Sequence, residues 1–174
     1  MTDLIDVLVS DHRRIETLFA ELENGAGDPG HRRNVVDVVV AELMGHAVAE
    51  ELYLYPTVRE LLPDGDQIAD RGLRHHAEAE RTMDALDPAD PGALIAAVRA
   101  HVEEQERDLF PRLRQVCPPD RLDDLGHRAE AAKRIAPTRP HPHAPANRLG
   151  AAGTGLVDRV RDAITDRPTR VSDL

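Results

Sequence analysis

The sequence predicts an all-α protein, an up-down-up-down four-helix bundle, and three observations carry that expectation. Four segments repeat apolar residues at alternating steps of three and four, the spacing of one helical face. Short stretches rich in glycine and proline separate them. Each of the four seams also contains one histidine at a position that Leu, Ile or Val would otherwise fill.

The first helix is expected over about residues 3–23, with Ile5, Leu8, His12, Ile15, Phe19 and Leu22 on one face. It stops at Asn24-Gly25-Ala26-Gly27-Asp28-Pro29-Gly30, where glycine allows positive φ and proline withholds a donor. The second segment is rich in valine, which by propensity alone would suit a strand. Its seam, however, runs through Val36, Val39, Leu43, His46, Glu50, Tyr53 and Thr57, far longer than the roughly five or six residues of a typical strand. A helix over 31–62 follows, with a kink or break expected at Pro56.

A third helix is expected over 65–86 with Ala69, Gly72, His76, Ala79, Met83 and Leu86 facing inward. A fourth runs from about 93 to 116 through Leu94, Val98, His101, Gln105 and Leu109, and Pro118-Pro119 closes it. The expected organisation is therefore a metal-binding bundle over 1–117, a short extra helix over 118–136, and a C-terminal region over 137–174. Of that region, Pro137 to Ala146 reads as an extended Pro/His-rich linker, and Leu156, Val157, Val160, Ala163 and Ile164 form a short amphipathic stripe.

Composition narrows the function. The net charge of −10 argues against a nucleic-acid groove, which needs clustered positive charge. No apolar run approaches the roughly 18 residues of a spanning helix, and the first residues carry acids where a secretory signal carries bases. No membrane association and a cytoplasmic location are expected. The single cysteine, Cys117, excludes an intramolecular disulfide and multi-cysteine metal sites. Charge is unevenly spread: with nine Lys or Arg against five Asp or Glu, residues 127–174 carry +4, and residues 1–126 carry −14.

The four seam histidines require an explanation, because unpaired imidazoles buried mid-helix are costly. Helices two and four share an internal repeat, His46-x3-Glu50-Glu51-x3-Tyr55-Pro56 and His101-x3-Gln105-Glu106-x3-Phe110-Pro111. Residues four apart share a helical face, so His46 and Glu50 have the geometry of metal ligands. Imidazole with carboxylate suits iron first, with zinc or manganese as lesser candidates, whereas calcium and magnesium prefer oxygen alone.

This arrangement of His, His-x3-Glu, His and a His-x3-Glu-like segment resembles the hemerythrin-like HHE cation-binding family, including its bacterial hemerythrin-like members, over residues 3–116. The resemblance implies a non-haem di-iron centre on His12, His46, Glu50, His76 and His101. The sequence departs from the pattern twice. Gln105 stands where a second carboxylate is expected, and Glu106, at the offset of five residues used by hemerythrins proper, becomes the helix-four candidate, with Glu104 as a substitute. Gly72 stands four residues before His76, where hemerythrins proper carry a fifth histidine. Glu16 and Glu80, each four residues after a seam histidine, are candidate ring-orienting acceptors, and Tyr53 and Tyr55 are candidate neighbours of the metals.

The implied ligand is a small molecule: dioxygen, nitric oxide or peroxide. The missing histidine shifts the expectation from oxygen carriage toward peroxide binding and catalase-like decomposition in stress defence, with turnover left open. The alternative is a non-catalytic iron or oxygen sensor that signals to a protein partner through the C-terminal tail.

Overall fold

The computed structural model describes residues 2–25, 28–141 and 151–174. It is helical throughout, with no strand among the described residues, and none of its helices is long and apolar enough to cross a membrane.

Helix α1 (Leu4–Glu23) is opened by Asp3, whose side chain accepts from the Asp6 N–H at 2.8 Å. Helix α2 (Pro29–Ala49) begins two residues earlier than the spacing predicts. Pro29 occupies the first helical position, where a missing N–H costs nothing, and Asp28 caps the free donors of Gly30 and His31 at 2.7 and 3.1 Å. The valine-rich stretch is helical, and Val35, Val38 and Val39 are buried among Leu18, Phe19 and Leu94.

The break expected at Pro56 takes a particular form. Residues Glu50–Leu54 make a π-helical turn, closed by the Tyr55 N–H on the Glu50 carbonyl, and helix α3 (Tyr55–Leu61) continues with Pro56 in its first turn. The repeat in the fourth rod does the same. Helix α5 (Gly92–Glu104) passes into a π-helical turn at Gln105–Leu109, the Phe110 N–H bonds the Gln105 carbonyl, and helix α6 (Phe110–Val116) follows with Pro111 at its start. The wide turn accommodates the ring of each proline without ending the rod, and such turns recur at functional sites. The third rod is helix α4 (Gly65–Asp84).

The apolar core is divided. One cluster, with Leu4, Leu8, Leu54, Val58 and Leu113, fills one end of the rods, and a second, with Ile15, Phe19, Val38, Met44 and Ile95, fills the other. The seam histidines and Glu50 lie between the two in the order of the chain, so a polar layer separates two dry ones.

Helix α7 (Pro119–Lys133) packs on α1 and α2. Helix α8 (Ala151–Thr165) does not bury the apolar stripe seen in the sequence. Leu156, Val157, Val160 and Ile164 are exposed, while Asp158 and Asp162 are buried. Asp158 accepts the Thr138 and Arg139 backbone N–H groups and the His141 ring N–H, and Asp162 takes the Thr138 hydroxyl and the guanidinium groups of Arg139 and Arg167. Polar groups thus dock α8, and Gly155 presses against the backbone of Ile135 and Ala136. The segment expected to be an unpacked linker is correspondingly buried at 137–138 and half-buried at 139–141, while residues 142–146 lie outside the described residues.

Candidate metal centre

Four rods deliver the seam histidines to one layer: α1 supplies His12, α2 His46, α4 His76 and α5 His101. Glu50 lies between them and is fully buried. Two groups of three side chains form around it, His12 with His46 and Glu50, and His76 with His101 and Glu50, each with its donor atoms within 4.8 Å of one another. Glu50 serves both: Oε1 stands 3.4 Å from His46 Nε2, and Oε2 stands 2.8 Å from His76 Nε2 and 3.4 Å from His101 Nε2.

The far side of three rings is held by a carboxylate. Glu106 accepts from His12 Nδ1 at 2.8 Å, Asp11 stands 3.4 Å from His46 Nδ1, and Glu51 accepts from His76 Nδ1 at 2.9 Å. An acceptor on Nδ1 fixes the tautomer and turns Nε2 toward the centre. The repeat explains two of these contacts, because Glu51 and Glu106 occupy matching positions and orient the histidines of α4 and α1 respectively. Glu106 also binds Arg13, and Asp11 also binds Arg14 and Lys133.

The electrostatics favour a cation. Burial opposes charge on Glu50, yet His46, His101 and His76 outweigh it and hold the carboxyl well below its usual range. Burial likewise opposes charge on His46, but Glu50 and Asp11 raise the imidazole to about 9. His12 moves the other way: burial and the neighbouring His46 lower it to about 4, so its ring is neutral. Among the described residues, Nε2 of His12 is buried without a hydrogen-bond partner, and Nε2 of His46 has Glu50 Oε1 at 3.4 Å but no hydrogen bond. The donor set of imidazole nitrogen with one shared carboxylate fits a metal of the iron, zinc or manganese type.

The two departures from symmetry are visible here. Gln105 is buried at the position matching Glu50 and donates its amide N–H to Glu50 Oε1 at 2.5 Å, while its own Oε1 has no partner. Beside Gly72, the space a side chain would fill is taken by Tyr55, whose ring and hydroxyl a Cβ there would overlap. The π-helical turn places Tyr55 there: in an α-helix five residues turn through about 140° past the starting face, whereas one π turn returns to it. The Tyr55 hydroxyl donates to Glu50 Oε2 at 3.2 Å and stands 3.3 Å from His76 Nε2. Burial and the charges of Glu50 and Glu51 raise this phenol well above its ordinary value, so it stays protonated. Gly72→Ala should therefore push Tyr55 off Glu50 and destabilise the protein by about 1–3 kcal/mol. The cost, measured by urea unfolding, should shrink in a Tyr55→Leu background; an equal cost in both would place the strain elsewhere.

The other candidates fall outside the cluster. Glu16 is exposed and shares Arg99 with Glu23, and Glu104 pairs with Arg71. Glu80 is buried and accepts the His141 backbone N–H at 2.9 Å. Tyr53 is half-buried against apolar neighbours. Sequence reasoning missed Asp11 and Lys133, and it missed Glu51 as a ring holder although the repeat pairs it with Glu106. His75, next to His76 in the sequence, is half-buried and meets His101 edge-on at 5.8 Å.

Two cavities reach the cluster. One of about 330 Å³ has largely apolar walls, among them Ile15, Leu43, Met44, Ala79, Met83 and Val98, and touches all four seam histidines. The other, about 350 Å³, is lined by Tyr55, Arg71, Gly72, His101, Gln105 and Asp108 on a more polar side.

Comparison with known proteins agrees with this geometry. An uncharacterized hemerythrin-like protein of Schizosaccharomyces pombe is 24% identical over 97% of this chain and 89% of its own length. A DNA nickase of Nostoc sp. is 28% identical over 74% of this chain, which spans 38% of that protein. No solved structure gives a significant match. The family profile of the hemerythrin HHE cation-binding domain matches residues 3–113, and the chain belongs to that family.

Proposed function

We propose that the chain is a non-haem di-iron protein built on an up-down-up-down four-helix bundle, and that its centre binds a small oxygen-bearing ligand, hydrogen peroxide first among them. One iron would be held by His12 and His46, the other by His76 and His101, with Glu50 between them. The observation that carries this reading is the pair of histidine groups sharing one buried carboxylate, with Nε2 of His12 and of His46 buried and making no hydrogen bond among the described residues.

Iron bound there would supply the electron transfer that peroxide, dioxygen or nitric oxide requires. The chain supplies the rest. Glu106, Asp11 and Glu51 orient the rings, the apolar cavity excludes water from one side, and the Tyr55 hydroxyl offers a proton or a hydrogen bond beside Glu50. Decomposition of peroxide also balances without an outside reductant, two molecules giving two waters and one dioxygen.

The test is iron content per chain with the visible spectrum of the oxidised protein before and after peroxide, alongside oxygen release at an electrode. Two irons, a spectrum that responds to peroxide, and oxygen release support the proposal. No iron after anaerobic reconstitution with ferrous salt overturns it, and one iron per chain overturns the di-iron part and points to Gln105. Glu106→Ala and Glu51→Ala should each lower iron affinity about 10- to 100-fold, as loss of ring-orienting carboxylates does, checked by chelator competition. Wild-type affinity in both variants would remove these residues from the centre.

A second reading, a non-catalytic sensor, is favoured by the His141 backbone contact with Glu80, one turn beyond His76, which joins the C-terminal arm to α4. Protease sensitivity of the arm that changes with iron loading would support it. The nicking activity named for the Nostoc relative is not carried over, since the match takes in 38% of that protein and this chain has a net charge of −10.

A further inference from the structure

A cavity of about 620 Å³ lies outside the metal centre, between α1, α2, the end of α7 and the C-terminal arm. Its walls carry five cations, Arg14, Lys133, Arg134, Arg159 and Arg170, against three carboxylates, Asp11, Glu42 and Glu130. Asp11 and Glu42 are already committed to Arg14 and Lys133. Arg159 has no such partner. No carboxylate among the described residues lies within ion-pair distance of it, and its Nε is buried without an acceptor. Its Nη2 reaches only the carbonyls of Lys133 and Ala136, at 3.4 and 3.5 Å. Burial, and the approach of Arg170, both work against its charge. Asp162 and Asp158, its neighbours on α8, favour its charge only from beyond ion-pair distance, because their oxygens are engaged by Thr138, Arg139, His141 and Arg167. The arm from residue 137, with six arginines against four aspartates, thus brings Arg159 and Arg170 to the same cavity as Arg134, where the described walls carry more cations than carboxylates.

We propose that this cavity binds a small phosphate-bearing anion, held by the guanidinium groups of Arg134, Arg159 and Arg170. Planar guanidinium forks match phosphate oxygens in pairs. The volume falls in the range of roughly 300–1,000 Å³ typical of small-molecule sites, so the ligand is larger than a lone phosphate ion and of sugar-phosphate or mononucleotide size.

The cavity also touches the metal centre. Asp11 forms part of its wall, pairs there with Lys133 and Arg14, and turns its other oxygen to His46 Nδ1 at 3.4 Å. An anion that draws Lys133 toward itself leaves Asp11 with Arg14 and His46 as its remaining partners, so occupancy is communicated to a ligand of the centre. This last step rests on the metal reading of His46; the binding site does not.

Calorimetric titration of the full chain, metal-free and iron-loaded, with pyrophosphate, inorganic phosphate and tricarballylate tests the proposal. Pyrophosphate should bind at one per chain in both forms, more tightly than phosphate. Arg159→Gln and Arg170→Gln should each weaken it about tenfold or more, whereas Arg128→Gln, a surface control paired with Asp124, should not. Arg170 is exposed, so its variant separates loss of binding from loss of folding. No saturable pyrophosphate binding, binding equal in all variants, or a preference for the carboxylate probe would overturn the proposal. A pyrophosphate-dependent change in the visible spectrum of the iron-loaded protein should accompany binding. Binding with an unchanged spectrum would remove the link through Asp11 while leaving the site.

Discussion

Glu50→Gln should leave a folded chain that has lost its metal. The side chain is fully buried, is the one carboxylate common to both ligand groups, and meets three imidazoles, the Tyr55 hydroxyl and the Gln105 amide. Loss of an outer carboxylate that merely orients a ligand costs about 10- to 100-fold in affinity, so removing the shared one should cost on the order of 100-fold or more at each position. Iron content after reconstitution measures this, and retention of two irons per chain would sink the proposed role of Glu50. The metal-free protein gives an independent readout. His46 is raised to about 9 by Glu50 and Asp11, from the 6.5 of an ordinary imidazole. Stability from that raised value is fully present below 6.5 and is lost as the pH climbs through about 9. The amide variant lacks most of it, so urea unfolding should separate the two proteins by about 3 kcal/mol near pH 6, with the gap narrowing toward pH 9. A gap that widened with pH would contradict the protonation assigned to the layer.

Much of this layer was legible in the sequence, because a helix repeats its face every three to four residues and the histidines keep that step. The seam positions of His12, His46, Glu50, His76 and His101 come from the period, as does the helical state of the valine-rich segment, while their grouping as one ligand set comes from the family resemblance. The period failed where the helix changed its own pitch. Extending the 3.6-residue step past Glu50 selects Tyr53, whereas the π-helical turn over Glu50–Leu54 brings Tyr55 to the metal layer. The signal was present as the Tyr55-Pro56 and Phe110-Pro111 pairs of the repeat, but a proline announces a disturbance without saying whether the chain kinks, breaks or widens.

Contacts between helices were hidden for a different reason. Asp11 precedes His12 and points to a different neighbour, so no spacing within α1 connects it to His46 on α2 or Lys133 on α7. The C-terminal arm inverted the usual expectation. Asp158 and Asp162 have the spacing of a solvated face, and only the donors of residues 138–141 and Arg167 make burial of that face favourable.

Gln105→Glu should reverse the sign of its effect between the metal-free and the metal-loaded protein. Gln105 is 3% exposed and lies at the repeat position of Glu50, donating an N–H to it while its own carbonyl oxygen has no partner. A carboxylate there, without metal, puts two acids side by side in a dry layer; one must take a proton, and the amide donor is gone. A cost of about 2–3 kcal/mol follows, or a fall in Tm of roughly 5–10 °C for a chain of this size. With metal, the same group would offer a second anionic oxygen to the proposed pair of cations. Affinity at the weaker position should rise about 10- to 100-fold, and the loaded protein should melt above the loaded wild type. Calorimetric titration with ferrous ion and paired thermal melts test both halves. Loss of stability in both states would mean that the layer was built around the amide, and that its single carboxylate is the design rather than a defect.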